Sequence, residues 1–186
     1  MAFNINEFRS SFSDGEPASP TNYEVSIVQR PRIGALEEQK NVSAENILIF
    51  RCNACTLPGK QMLTSDRLTY GPIRKIITSA LYTDVRFSFI VSDNKQELRY
   101  FTRWHNSIIN NELNDGIQTH DVEYYDSYTG SVIITHFDKQ NNIKYKISLL
   151  EAYPISVEEI PLSWDNNNEF IRVDVTMAYK IWKHIK

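Results

Sequence analysis

From Ile171 to Ile181 the chain alternates apolar and polar residues without a slip. Ile171, Val173, Val175, Met177, Tyr179 and Ile181 fall on one side, and Arg172, Asp174, Thr176, Ala178 and Lys180 on the other. Strand side chains point to opposite faces with a period of two, whereas a helix would scatter these apolar residues round its circumference. The pattern predicts one strand of about eleven residues, against a usual five or six, with one buried face. The polar residues 165–168 before it form a turn whose Asx side chains can bond their own backbone. Such a strand is the organising element of an all-β core.

Shorter runs agree. Tyr23, Val25 and Ile27 alternate, as do Val85, Phe87, Phe89 and Val91. Residues 47–52 read as a second strand, and residues 132–137 and 143–149 as two more, joined in a hairpin around Asn141-Asn142. In the last of these Ile143, Tyr145, Ile147 and Leu149 face one way and Lys144, Lys146 and Ser148 the other. Residues 95–109 read as the one packed helix, with the stripe Leu98, Phe101, Trp104, His105 and Ile108 and a capping pair Asn94 and Glu97. His105 at the margin of that stripe is read as structural. A short helix is expected at residues 4–12, from Ile5, Phe8 and Phe12 and the capping spacing of Asn4 and Glu7. Residues 13–20 are a turn-rich connector, 29–46 a polar surface excursion, and 110–130 a polar loop in which Tyr124, Tyr125 and Tyr128 are read as packing or protein contacts.

Residues 60–84 are ambiguous. Tyr70-Gly71-Pro72 interrupts them, yet they hold Ile73, Ile76, Ile77, Leu81 and Tyr82, too much apolar surface for a solvated linker.

The chemistry of catalysis is missing from the sequence. The six glycines show neither phosphate-loop nor nucleophile-elbow spacing. Glu37-Glu38 and Glu158-Glu159 are adjacent pairs, which point apart on a strand and make poor acid–base dyads. Cys52 and Cys55 could be half a zinc site, but no second pair supplies the remaining ligands, and the following Thr56-Leu57-Pro58-Gly59 is a loop, not the helix that a redox motif opens. No metal or cofactor is expected. A net charge of −3 argues against a general nucleic-acid binder. No apolar run approaches the roughly eighteen residues of a membrane span, and residues 1–20 lack the basic start and apolar core of a signal peptide, so a reducing cytosol is expected until assembly.

Several segments, in order, resemble the tail tube proteins of contractile-tailed, T-even-like bacteriophages. They are Phe12, Gly15, Pro20, Asn22-Tyr23, Val25 and Ile27; then Cys52 to Leu57-Pro58-Gly59; the aromatic-Pro pair Tyr153-Pro154 with Leu162 and Trp164; and Phe170 to Trp182. The resemblance covers most of the chain and is weak at 29–46 and 60–84. It implies one domain over 1–186, an antiparallel β-sandwich or barrel with one packed helix, residues 1–22 as an N-terminal arm and 60–84 as an assembly hairpin or loop. It implies a structural protein of hexameric rings that share a continuous inner barrel and stack into a tube through which DNA leaves the capsid without specific binding. The implied partners are further copies, the sheath, baseplate hub and tube-initiator proteins, a tape measure protein and a tail terminator, in a virion assembled in the host cytoplasm. The implied interface residues are Pro58, Gly59, Tyr70, Gly71, Ile73, Ile76 and Ile77, and the lumen residues Lys144, Lys146 and Ser148. A hexamer would carry a formal 6 × (−3) = −18. The alternatives are a tube-initiator, the inner tube of a phage-like injection or secretion system, and a monomeric lipocalin-type barrel.

Overall fold

The structure is a computed structural model and describes residues 5–10, 18–29, 48–49, 51–110, 113–114, 117–118, 121–164 and 169–185. In chain order its elements are α1 (Ile5–Ser10), β1 (Tyr23–Gln29), β2 (Cys52–Cys55), β3 (Lys60–Arg67), β4 (Arg74–Tyr82), β5 (Val85–Ile90), α2 (Gln96–Ile108), β6 (Ile109–Asn110), β7 (Leu113–Asn114), β8 (Ile117–Gln118), β9 (Asp121–Val122), α3 (Tyr125–Tyr128), β10 (Gly130–Phe137), β11 (Ile143–Val157), β12 (Arg172–Ala178) and β13 (Ile181–His184). The fold is mainly β and antiparallel throughout, as expected.

Among the described residues seven strands form the main sheet, and β11 is its spine. The first half of β11 lies between β10 and β13, with β1 beyond β10. Its second half pairs with β12, followed by β5 and β2. Side chains from both halves meet in one core. Val25, Val132, Ile134, Ile147 and Leu149 come from one half, and Val85, Phe87, Phe89, Val173, Val175 and Met177 from the other. The sheet therefore folds over on itself and closes on α2, which contributes Tyr100, Phe101 and Trp104. Phe101 sits 5.1 Å from Phe89, and the Trp104 indole donates to the Tyr128 carbonyl at 2.8 Å. His105 bonds the Pro154 carbonyl and fastens the helix to β11, a structural role as read from the sequence.

The long C-terminal strand is corrected. Val173, Val175 and Met177 are buried as the alternation requires, but the strand stops at Ala178. After a bend at Tyr179-Lys180 the chain resumes as β13. One register holds on both sides: Tyr153 faces Ala178, and three residues back on β11, three forward on its partner, Leu150 faces Ile181. The break comes from β11, where Glu151 has φ +53°. That left-handed residue reverses which side of the ribbon meets the core. Before it the inward residues are Ile147 and Leu149, after it Ala152 and Pro154. Across the bend Trp182, opposite Leu149, takes the inward place that alternation would have given Ile181. Lys180 holds the corner with its backbone N–H on the Leu150 carbonyl and its ammonium 2.7 Å from Glu151.

Other expectations shift locally. β11 runs on to Val157 and carries Pro154 inside it, opposite Met177, with a register shift just after that absorbs the missing N–H. Instead of a strand at 47–52, Leu48, Ile49 and Arg51 have helical backbone and pairing begins at Cys52. A continuous apolar run such as 47–50 does not by itself separate helix from strand. The loop 110–130 contains the short ladders β6–β9 and β7–β8 and the helical turn α3. The helix at 4–12 is present as α1 and the first residue of the excursion at 29–46, Gln29, ends β1, while Asn4, Phe12, the rest of the excursion and the turn at 165–168 lie outside the described residues.

The cap of α2 is built differently from the expected Asn94–Glu97 pair. Lys95 occupies the cap position with φ 51°, and Glu97 is buried. Its carboxylate accepts from the Ser92 N–H at 3.0 Å and the Ser92 hydroxyl at 2.9 Å, and pairs with the Arg51 guanidinium. Burial alone would raise the Glu97 pKa, but these hydrogen bonds hold it below the usual carboxylate range. A depressed folded pKa contributes stability that is present above the unfolded pKa and is lost as pH falls through the folded one. Glu97→Ala should therefore cost roughly 2–4 kcal/mol at neutral pH, since it strands the Ser92 and Arg51 donors. Its deficit against wild type should shrink in acid melts below the carboxylate range. A deficit of equal size at every pH would show that packing, not charge, is what Glu97 supplies.

Candidate functional site

Two features lie outside the core. The first is an arm. β2 and β5 pair within the main sheet, and the same two chain segments continue outward as β3 and β4. Between the two parts Thr56 bonds Arg86, and the Gly59 N–H meets the Thr83 hydroxyl at 3.2 Å. A Cβ on Gly59 would lie 2.7 Å from that hydroxyl, so the close approach needs glycine. Pro58 lacks the donor that would continue the ladder. The Tyr179 hydroxyl donates to the Thr83 carbonyl at 2.8 Å, and its ring packs edge-on to Tyr82. The root is thus fixed, and the ambiguous segment 60–84 is a hairpin.

Beyond the root, every residue of β3 and all but Tyr82 of β4 are exposed. Opposed residues share a face, so Met62, Ile77 and Ala80 lie on one side with Tyr82, and Leu63, Ile76 and Leu81 on the other. The register shift at Thr78 is what puts the neighbours Ile76 and Ile77 on faces matching Leu63 and Met62. Both faces therefore carry exposed apolar side chains among polar ones. At the tip Tyr70 is fully exposed, Gly71 has φ +102°, and Ile73 is exposed just before β4. Among the seven expected interface residues, Pro58 and Gly59 are at the root, Tyr70, Gly71 and Ile73 at the tip, and Ile76 and Ile77 on opposite faces.

The second feature is the half-sheet β1-β10-β11-β13. Among the described residues the outer edges of β1 and β13 have no partner strand. Its wet face runs in rows: Glu24, Thr135 and Lys146, then Ser26, Ile133, Ser148 and Lys183. Lys144 is exposed on the same face and lies 3.8 Å from Asp138. Lys144, Lys146 and Ser148 thus share one face as the sequence suggested, though Ser148 is only 7% exposed. Glu24 and Lys183 were missed. Glu24 alternated with Val25 in plain view, whereas the bend at Glu151 hid the facing of Lys183. Trp182 adds a loose end on β13: its indole N–H is buried with no acceptor among the described residues. Such a group costs about 1–3 kcal/mol until it is met.

Other side chains are accounted for by packing. Tyr125, Tyr128 and Tyr153 form a mutual edge-to-face cluster, and Tyr124 is exposed beside it. Cys52 and Cys55 are half-buried free thiols, pushed up by burial to about 12 and about 11, the protonated and unreactive form at neutral pH. Among the described residues no group of three His, Cys, Asp or Glu could hold a metal ion, and no helix is long and apolar enough to cross a membrane. A groove beside β12 is lined by Ile160, Leu162, Trp164 and Phe170 among Glu159, Glu169 and Asp174.

Comparison with known proteins agrees with this anatomy. Solved structures that share the fold include the following three. A chain from the sheath–tube complex of an extracellular contractile injection system is 16% identical with a TM-score of 0.60, covering 95% of this chain and 97% of that one. A chain from the sheath/tube terminator of such a system is 13% identical at 0.60, covering 92% and 98%. One from the anti-feeding prophage baseplate is 10% identical at 0.63, covering 92% and 97%. No curated protein matches the sequence. The family model described as phage tail tube protein matches residues 18–185. The chain belongs to the phage tail tube protein family, whose members are structural components of phage-like tails and not enzymes.

Proposed function

We propose that this chain forms the inner tail tube of a contractile phage tail, as stacked hexameric rings whose bore conducts DNA during ejection. The half-sheet β1-β10-β11-β13 carries this reading. Three successive antiparallel pairings leave β13 running antiparallel to β1. Copies set side by side can therefore continue one antiparallel ladder, and a closed ring leaves no unpaired edge. The wet face then lines the bore and the arm 60–84 reaches neighbouring copies, with residues 1–22 as a further arm of the single domain 1–186. On that bore face Lys144, Lys146 and Lys183 stand against Glu24 and Asp138, a balance of 3 − 2 = +1 per subunit. So slight an excess suits transit without grip, since tight binding needs many uncompensated cations.

The partners that follow are further copies, the sheath, baseplate hub and tube-initiator, tape measure and tail terminator, in a virion assembled in the host cytoplasm. A second reading is the tube of a phage-like injection system, favoured by the fold shared with sheath–tube and baseplate chains of such machines. Negative-stain imaging of the concentrated protein tests both, with rings or tubes expected. Persistent monomers at high concentration would overturn them. DNA-filled capsids on particles carrying this chain decide for the phage tail.

A further inference from the structure

On the reading above, the seam between two copies brings β13 of one against β1 of the next. We infer that this seam is locked by an ion pair between Lys183 of one copy and Glu24 of its neighbour, on the bore side of the sheet. Among the described residues both stand on edge strands, and both stand on the wet face. Lys183 lies opposite Ser148, whose neighbours Ile147 and Leu149 point into the core. Glu24 lies opposite Thr135, one step from the buried Val25. In a continuous sheet the facing pattern carries across the seam, so Lys183 meets Glu24 or Ser26, the outward residues of β1 before its register shift between Ile27 and Gln29. Within each subunit the row that ends at Lys183 begins at Ser26. Whether the seam sets Lys183 opposite Ser26 or opposite Glu24, the Glu24 carboxylate is the direct or the diagonal neighbour. A lysine side chain spans either distance.

Charge supports this occupant over others. Lys183 is exposed and Glu24 half-buried, each at the rim of its own edge, and the two edges carry opposite signs on the same face. A second copy of this chain is therefore complementary to the first, head to tail. The pair also narrows the register to these two, Lys183 opposite Glu24 or opposite Ser26. A slip by one residue would turn Lys183 against Tyr23 or Val25 and send their side chains to the bore. A slip that carries Lys183 beyond Ser26 brings it to the irregular end of β1, where the exposed Val28 offers no charge.

The test is charge reversal, read by sedimentation velocity across a concentration series, with circular dichroism and melting to confirm that each variant folds. Lys183→Glu and Glu24→Lys should each raise the concentration for half-assembly at least about tenfold at low salt, since like charges then face each other at every seam. The double reversal Glu24→Lys/Lys183→Glu should restore assembly to within a few-fold of wild type. Raising salt to about 1 M, where screening acts within about 3 Å, should narrow the gap between single variants and wild type. Folded single variants that assemble like wild type would overturn the pair, and so would a folded double variant no better than the singles. If wild type itself forms no rings under any of these conditions, the failure lies with the ring reading and not with the pair.

Discussion

Val175→Asp is expected to abolish soluble folding, while Thr176→Asp, one residue on, leaves a folded protein whose stability falls by no more than about 1 kcal/mol. Val175 has no exposed surface and is held between Phe87 on β5 and Val157 on β11. Removing its side chain from the core forfeits roughly 1.5–3 kcal/mol. Placing an unpaired carboxylate there costs several more. The sum reaches the whole stability of a typical domain, about 5–15 kcal/mol. Thr176 points the other way and is half-exposed, opposite Arg86, whose guanidinium would welcome a carboxylate. Soluble yield and thermal melting of the two variants check this. Equal tolerance of both would remove β12 from the core, and loss of assembly in a folded Thr176→Asp protein would mark that outer face as an interface.

The contrast between these neighbours was legible in the sequence because a covered face writes its period into the chain. Val173, Val175 and Met177, the run Val85 to Phe89, and the paired facings of Ile147 and Lys146 all follow from it. Phe101 and Trp104 were legible for the same reason at helical spacing. Long-range geometry left no such trace. Glu151 adopts a positive φ without glycine, so the corner that splits β12 from β13 has no local signal, and uninterrupted alternation through Tyr179 and Ile181 conceals it. Arg51 and Glu97 are far apart in sequence, and only the fold makes them partners. The arm was half-legible. Tyr70-Gly71-Pro72 marked its tip, but Met62-Leu63 and Ile76-Ile77 put apolar side chains on both faces, and the shift at Thr78 changes the phase. A strand with no covered side within its own chain has no reason to alternate.

That two-sided exposure makes Ile77→Asp the sharpest test of the arm. The variant should fold and melt like wild type, because Ile77 is 63% exposed and touches no part of the core. It should nevertheless fail to extend tubes. An isolated two-stranded hairpin is marginal in water. Ordering it costs roughly 1–2 kcal/mol per residue in backbone entropy. The face of Met62, Ile77 and Ala80 and the face of Leu63, Ile76 and Leu81 can offset that only when other subunits cover them. Burying Ile77 contributes roughly 1.5–3 kcal/mol at each contact. Its loss alone raises the concentration needed for growth by about ten- to a hundredfold, and a carboxylate buried without a partner adds to the deficit. The same reasoning predicts that protease cuts free subunits within 60–84 and that assembly protects those bonds, while the root at Gly59 and Thr83 resists in both states. Normal tubes from Ile77→Asp, or an arm already fully protected in a verified monomer, would show that the ribbon stabilises itself and that subunits join elsewhere.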